Sequence, residues 1–440
     1  MKIVLLSGGS GKRLWPLSNE IRSKQFLKVV CNEKGGMESM LQRVYRQLSD
    51  AGLGKDITIA TGETQVESIR NQLNDQVSIV VEPERRNTFP AILLAAAYLY
   101  FEKKCDPSET VVILPVDPYV DQAYFQLLKE LDKAAQAGLS DIVLMGVQPT
   151  YPSEKYGYII PEDRETPVSR VLEFREKPDA QTAQGFIDKG GLWNCGVFAL
   201  KLSYLMEFVK RAGSSYEEVA GGYSGFERTS FDYAVVEKAG SVSVIRYEGE
   251  WKDLGTWNTL TEVMDETPIG DVQIADNCIN THVINELELP MVVMGVKDMV
   301  VAASPDGILV ADKEQSSYIK KYVEDRDMRP MFEERSWGEY KVLDYSVGED
   351  GTKVLTKRKK IQKGRSIAYQ SHQSRMEVLA VISGKCVITI DGCAYEAGAG
   401  DAYTVSIGAK HGLDAVTDVE LIEIQVGEEL IKDGTELDEK

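Results

Sequence analysis

Three glycines (Gly8, Gly9 and Gly11) and two adjacent cations (Lys12 and Arg13) follow directly on the apolar run Ile3–Leu6, in the stretch SGGSGKRLWPLS at 7–18. Glycine backbone N–H groups just past a strand commonly wrap a phosphate, and nearby cations neutralise it. Two familiar spacings do not fit. A P-loop needs Ser or Thr after its Gly-Lys pair and a glycine where Leu6 stands, yet Arg13 follows Lys12 here. A dinucleotide fingerprint needs a third glycine where Leu14 stands. A tight turn alone accounts for the glycines but not for Lys12, Arg13 and Lys24 around one loop. Asp117 closes another apolar run, VVILPVD at 111–117. Taken singly, that carboxylate reads as a turn residue.

Elements of a particular kind must hold these residues. IVLL (3–6), ITIA (57–60), VSIVVE (77–82), VVILPVD (111–117) and IVLMGV (142–147) are short, β-branched and bounded by polar turns. Thr88–Lys103 and Tyr124–Ala137 carry apolar residues at helical spacing. The alternation predicts an α/β fold, a mostly parallel sheet with helices on both faces. Ligands of such sheets bind beyond the carboxyl ends of the strands, where Gly8–Gly11 and Asp117 fall. From about residue 270 the helices stop, and MVVMGV (291–296), MVVAAS (299–304) and GILVAD (307–312) read as strands with tight turns. The charged run at 320–336 reads as a helix end and linker, and glycine-punctuated strands follow to about 426. The expected domains are 1–265 (the α/β unit), 266–320 (a short β-rich segment), 321–336 (linker), 337–430 (a small β-barrel) and 431–440 (tail).

Composition excludes some partners. The formal net charge is −19, which opposes general nucleic-acid binding while leaving room for one anionic ligand in a local cationic pocket. The apolar run at 3–6 is too short for a signal peptide or a membrane span, and the 6 cysteines form no CxxC pair. The expectation is a cytoplasmic globular enzyme with no membrane partner.

SGGSGKRLWPLS followed by SKQFL resembles the signature of sugar-1-phosphate nucleotidyltransferases, and most closely the mannose-1-phosphate guanylyltransferase branch. EPERRNTFPAI (82–92), LPVDPYV (114–120), YGYI (156–159), FREKPDAQTA (174–183), WNCGVF (193–198), FDYAVVEKA (231–239) and WKDLGTW (251–257) follow in that family's order. The resemblance implies a Rossmann-like nucleotidyltransferase sheet. It also implies attack of a sugar 1-phosphate on the α-phosphorus of a nucleoside triphosphate, a reaction governed by positioning and charge neutralisation. It implies catalytic roles for Arg13, Lys24, Asp117 and Asp253, the two aspartates holding Mg²⁺. Leu6, Gly8, Gly9, Gly11, Arg13, Glu82, Arg86, Asn87 and Thr88 would bind the nucleotide. Gly157, Glu176, Lys177 and Asn194 would bind the sugar phosphate. Two departures from the family pattern are Ser23, where a proline is usual, and EPERRNTFP in place of EPVGRNTAP.

GRSIAYQSHQSRMEVLAVISG (364–384) and SIGAKHGL (406–413) resemble the cupin domain of type II mannose-6-phosphate isomerases. The resemblance places Gln370, His372, Glu377 and His411 on the four metal positions, a set suited to Zn²⁺ or another divalent metal. Gly412 stands where those isomerases carry arginine, and Gln373 and Ser374 replace histidines, so isomerase activity is expected to be lost.

The reading is therefore Mg²⁺-dependent transfer from GTP to mannose 1-phosphate, giving GDP-mannose and pyrophosphate for polysaccharide synthesis, with a homodimer open to it. Its rivals are a transferase of other nucleotide or sugar specificity, a bifunctional transferase and isomerase, and a non-enzymatic sugar-nucleotide sensor.

Overall fold

The computed structural model describes residues 1–9, 11–73, 77–264, 267–324, 329–428 and 430. The expected tail at 431–440 and residues 325–328 of the expected linker lie outside them. Two compact units emerge, each built from separate stretches of chain. One comprises Met1–Gly9, Lys28–Val66 and Gln76–Leu254; the other comprises Ser10–Leu27, Glu67–Asp75 and Gly255–Lys440.

The first unit is organised by a nine-stranded sheet. Its order is Ser78–Glu82, Ile57–Gly62, Lys2–Ser7, Thr110–Pro115, Leu192–Lys201, Ile142–Val147, Val242–Tyr247, Val168–Arg175, Tyr158–Pro161. Its central strands are buried on both faces, as their apolar sequences require. Val4, Val111, Ile113, Ile142 and Leu144 join one core with the helix Thr88–Ala97. The alternate residues Ile3, Leu5, Val112, Leu114 and Val143 are each 0% exposed. The helix Gln122–Gln136 lies on the central strands, and its N-cap Asp121 accepts from the Ala123 N–H at 2.8 Å.

The expected parallel order holds from Ser78–Glu82 through Thr110–Pro115, and again between Ile142–Val147 and Val242–Tyr247. The sheet as a whole is mixed. Leu192–Lys201 runs antiparallel to both neighbours, and Val168–Arg175 is antiparallel to both of its own. An apolar strand buried on both faces carries no mark of its direction, which the connections decide.

In the second unit, Val272–Ile274 pairs in parallel with Met291–Val293, and His282–Asn285 with Met299–Ser304. Paired residues stand 15 to 19 positions apart, so this segment is a short parallel solenoid, closed by the antiparallel strand Gly307–Asp312. The C-terminal strands form two antiparallel sheets of six and four strands. Ile361, Leu379, Val381, Ile388, Leu413 and Leu421 fill the core between them.

The charged run expected as linker is ordered differently at its end. Phe332–Arg335 is a strand paired with Gly338–Val347, and its Glu333 and Glu334 are buried. Arg335 meets Glu333 at 2.8 Å and the Gln72 amide donates to Glu334 at 2.7 Å, which compensates the burial of two carboxylates.

Candidate functional site

In the first unit the sheet brings three of the expected residues to one edge. Lys2–Ser7 and Thr110–Pro115 are adjacent and parallel, with Leu6 beside Pro115, so Gly8–Gly9 and Asp117 leave neighbouring strand ends in the same direction. The Thr61 hydroxyl donates to the Ser7 carbonyl at 2.9 Å, and the Gln65 amide donates to the Gly9 carbonyl at 3.2 Å, holding the start of the loop. Gly9 has φ +127°, a backbone conformation that side chains rarely adopt, and a Cβ at Gly8 or Gly9 would meet nothing within 4 Å. Space is open above both.

Asp253 reaches this edge through a separate ribbon. Trp251–Asp253 pairs antiparallel with Pro118–Val120, setting Asp253 opposite Pro118, one residue beyond Asp117. Tyr156 lies near both aspartates. Its hydroxyl is pushed well above the ordinary tyrosine range, chiefly by burial and then by the negative charges of Asp253 and Asp117. Two carboxylate residues, Asp117 and Asp253, thus stand at one end of the sheet, and carboxylate oxygens are hard donors of the kind divalent cations take.

The expected sugar side also assembles. Gly157 is buried directly against the Glu176 carboxylate and the Asn194 Cβ, leaving no room for a side chain at 157. The Asn194 N–H donates to the Gly157 carbonyl at 2.8 Å. Lys177 Nζ lies 2.6 Å from Glu176 Oε1, while Glu176 Oε2 is buried without a hydrogen-bond partner. Burial, with Asp232 adding to it, raises the Glu176 carboxyl above its ordinary range against the pull of Lys177. A cavity of about 340 Å³ has Glu176, Lys177, Tyr233 and Glu237 in its wall. Asp232 was not anticipated. It accepts from the Asn194 amide at 2.7 Å, and burial raises its carboxyl too. The signal available was its place in FDYA, among the ordered motifs.

The expected base and ribose residues are engaged in structure. The Tyr223 hydroxyl donates to Glu82 at 2.6 Å, and burial still lifts the Glu82 carboxyl. Arg86 donates to the Phe226 carbonyl at 2.8 Å and meets Glu84 at 3.0 Å. Asn87, at φ 74°, caps the helix Thr88–Ala97 by accepting from the Thr88 N–H. The Thr88 hydroxyl accepts from the Phe231 N–H at 2.9 Å.

Gly11, Arg13 and Lys24 belong to the second unit. Gly11 has a structural reason to be glycine: φ is +63°, and a Cβ would run into the Asn19 carbonyl. Arg13 is exposed, and Lys24 opens a short 3₁₀ turn whose other members, Gln25 and Phe26, are buried.

In the C-terminal sheets, donor atoms of His372, Glu377 and His411 all lie within 4.8 Å of one another. His411 Nε2 stands 3.0 Å from Glu377 Oε2, and His372 Nε2 stands 3.4 Å from Oε1. Donors about 2.1 Å from one tetrahedral zinc would stand on the order of 3.4 Å apart, so the set fits a transition metal. Gln370 pairs with His411 across the ladder. Arg375 was not anticipated there; it lies 2.8 Å from Glu377 and 3.0 Å from His372 Nε2. Burial pushes the Glu377 carboxyl up, but the His411 hydrogen bond and the charges of Lys359 and Arg375 prevail and hold it well below the usual range. At Gly412 a Cβ would sit 3.2 Å from the Ile367 carbonyl and the Tyr369 Cα, so a larger residue there would crowd the facing strand.

Comparison with known proteins places both parts of the chain in families. The nucleotidyl transferase family matches residues 2–268 and the cupin domain matches 358–425. A Salmonella montevideo protein named mannose-1-phosphate guanylyltransferase is 30% identical over 98% of this chain and 97% of its own length. The Pseudomonas aeruginosa alginate biosynthesis protein AlgA is also 30% identical, over 98% of this chain and 95% of its own. A solved structure described as mannose-1-phosphate geranyltransferase, from Thermus thermophilus, is 30% identical with TM-score 0.61, covering 73% of this chain and 98% of that one. With more than half its length matched, the chain belongs to the nucleotidyl transferase family.

Proposed function

We propose that the chain transfers the guanylyl group of GTP to mannose 1-phosphate, releasing pyrophosphate and giving GDP-mannose. The observation that carries the reading is the convergence of Gly8–Gly9, Asp117 and Asp253 at one end of the sheet. The names of the full-length relatives supply the guanine and mannose specificity.

A phosphate oxygen of the sugar 1-phosphate attacks the α-phosphorus in line. The bond from that phosphorus to the bridging oxygen breaks, and pyrophosphate departs with the electron pair. Gly8 and Gly9 let the backbone approach the triphosphate. Arg13 is assigned to the β- and γ-phosphates and Lys24 to the charge that builds on the reacting group. Asp117 and Asp253 would hold Mg²⁺, which supplies charge neutralisation on the phosphates when bound. Glu176, with its unpartnered Oε2, is suited to accept sugar hydroxyls that Asn194 and Asp232 help orient, and Lys177 is suited to the 1-phosphate. Gly11, Glu82, Arg86, Asn87 and Thr88 are then the frame of the nucleotide side, several of them through the structural bonds described.

The cupin set of Gln370, His372, Glu377 and His411 is assigned a divalent transition metal without isomerase chemistry, since Gly412 brings no side chain to the position where the isomerases carry arginine. Among the described residues no helix is long and apolar enough to cross a membrane, and none of the six cysteines is in a disulfide. Both observations accord with work in the cytoplasm, where a homodimer remains our expected assembly.

The test is pyrophosphate release over a grid of nucleoside triphosphates and sugar 1-phosphates with Mg²⁺. GTP with mannose 1-phosphate should give the highest kcat/KM. A clear preference for CTP, UTP or dTTP would overturn the guanine assignment, and no release with any pair would overturn the transferase.

A further inference from the structure

The loop that carries Arg13 and Lys24 packs within the second unit, against residues that lie hundreds of positions later in the chain. Its grip is specific and largely buried. Arg22, 9% exposed, makes a two-pronged pair with Glu286, with Nη1 to Oε2 at 2.7 Å and Nη2 to Oε1 at 2.9 Å. The same guanidinium donates to the Leu17 carbonyl at 3.3 Å and lies 4.7 Å over the Phe332 ring. The Asn19 amide donates to Asp306 at 2.7 Å, while Asn19 Oδ1 accepts from the Ile21 and Arg22 N–H groups. The Ser304 hydroxyl donates to the Pro16 carbonyl at 2.6 Å, the Trp257 indole to the Trp15 carbonyl at 3.1 Å, and the Gln72 amide to the Phe26 carbonyl at 2.9 Å. Gly307 is pressed against the Trp15 ring and has φ +149°.

These bonds bracket both cations. Arg13 lies two residues before Trp15, which is held by Trp257 and pressed by Gly307, and Lys24 lies between Arg22, held by Glu286, and Phe26, held by Gln72. Phosphoryl transfer depends on placing charge to within fractions of an ångström, and a misplacement of about 1 Å can cost on the order of 100-fold. A bidentate arginine–carboxylate pair fixes orientation as well as distance.

We propose that Glu286 and Asp306, on the solenoid, are positioning residues for transfer: through Arg22 and Asn19 they set the loop that presents Arg13 and Lys24. The solenoid is thereby part of the catalytic apparatus although it supplies no group that touches substrate. The inference rests on the transferase reading above.

The test uses the full-length chain carrying Glu286→Gln, Asp306→Asn or Gly307→Val, with Glu288→Gln as control. Glu288, itself exposed, pairs with Arg358 at 2.9 Å and so carries a comparable charge pair that does not involve a loop residue. Turnover is measured per folded molecule, well below each variant's melting temperature, alongside amide hydrogen exchange of residues 11–27. The expected result is a kcat lower by 10-fold or more in Glu286→Gln and Asp306→Asn, a KM for sugar phosphate within about threefold, and faster exchange in 11–27. The control should match the wild type in both readouts. A merely structural pair would lower melting temperature while leaving kcat per folded molecule intact, and kcat within twofold of wild type in both variants would overturn the proposal. Should one of them fail to fold, Gly307→Val decides, since it disturbs Trp15 without removing a charge. If the wild type transfers nothing in the grid, the function reading falls instead, and unchanged exchange of 11–27 in the variants would then overturn the tether on its own.

Discussion

Lys357→Met should stabilise the C-terminal sheets, and by an amount that depends on pH in a direction the structure dictates. Lys357 is 2% exposed, and burial lowers its ammonium from the usual lysine range to about 7, with Lys359 and Arg375 opposing its charge and Glu423 and Glu333 supporting it. An unfolded lysine titrates near about 10.4, so the unfolded chain binds the extra proton between about pH 7 and pH 10.4 and stability rises with pH across that window. The penalty is full below about pH 7 and gone above about pH 10.4. At about 1.36 kcal/mol per unit of displacement the penalty is roughly 4–5 kcal/mol. The Tyr340 ring, 4.6 Å from Nζ, returns on the order of 1 kcal/mol to the charged form, leaving about 3–4 kcal/mol. Methionine has nearly the same length and no charge. Melting of the full-length wild type and variant at pH 6.5, 8 and 9.5 would read the difference, which should be largest at 6.5 and shrink steadily. A gain independent of pH, or a loss at pH 6.5, would refute the reasoning.

Asp253→Asn and Lys24→Ala should each lower transfer by about 10²–10³ in kcat with melting unchanged, as loss of one transition-state charge contact commonly does; near-normal turnover in both would remove them from the site. Gly157→Ala places a methyl group against the Glu176 carboxylate and should raise KM for the sugar phosphate about 10-fold while leaving KM for the nucleotide alone, a split that initial-rate kinetics reads directly. Elemental analysis of protein purified after reconstitution should find up to one transition metal per chain, lost in the His372→Ala/His411→Ala double variant; no metal in the wild type would leave that cluster to Arg375 alone.

The strand ends carrying Gly8, Gly9 and Asp117 were legible because apolar runs bounded by turns locate strands, and parallel sheets expose their carboxyl ends to ligands. Strand direction was not: LWNCGVFALK (192–201) is apolar on both faces whichever way it runs. Nor was the burial of Glu333, Glu334, Lys357 and Lys359. Local sequence counts these charges as solvated, whereas Glu334 and Lys359 are held by partners distant in the chain, Gln72 at 2.7 Å and Glu423 at 2.5 Å. Gly11 was read with the phosphate-wrapping glycines, but its own neighbours require it. Asp232 stayed hidden because its partner Asn194 lies 38 positions away.

The pairing of Arg22 with Glu286 spans 264 positions of sequence. During synthesis at about 5–20 residues per second, the loop at 11–27 leaves the ribosome roughly 15–50 seconds before its buried partner exists. For that interval Leu14, Leu17 and Phe26, each no more than 2% exposed in the finished protein, have no interior to enter. The first unit can close its sheet once residue 254 has emerged, and the second cannot begin to enclose the loop until the solenoid follows. Such long-range closure predicts slow maturation. It also leaves the apolar residues of 14–26 exposed until the solenoid is made.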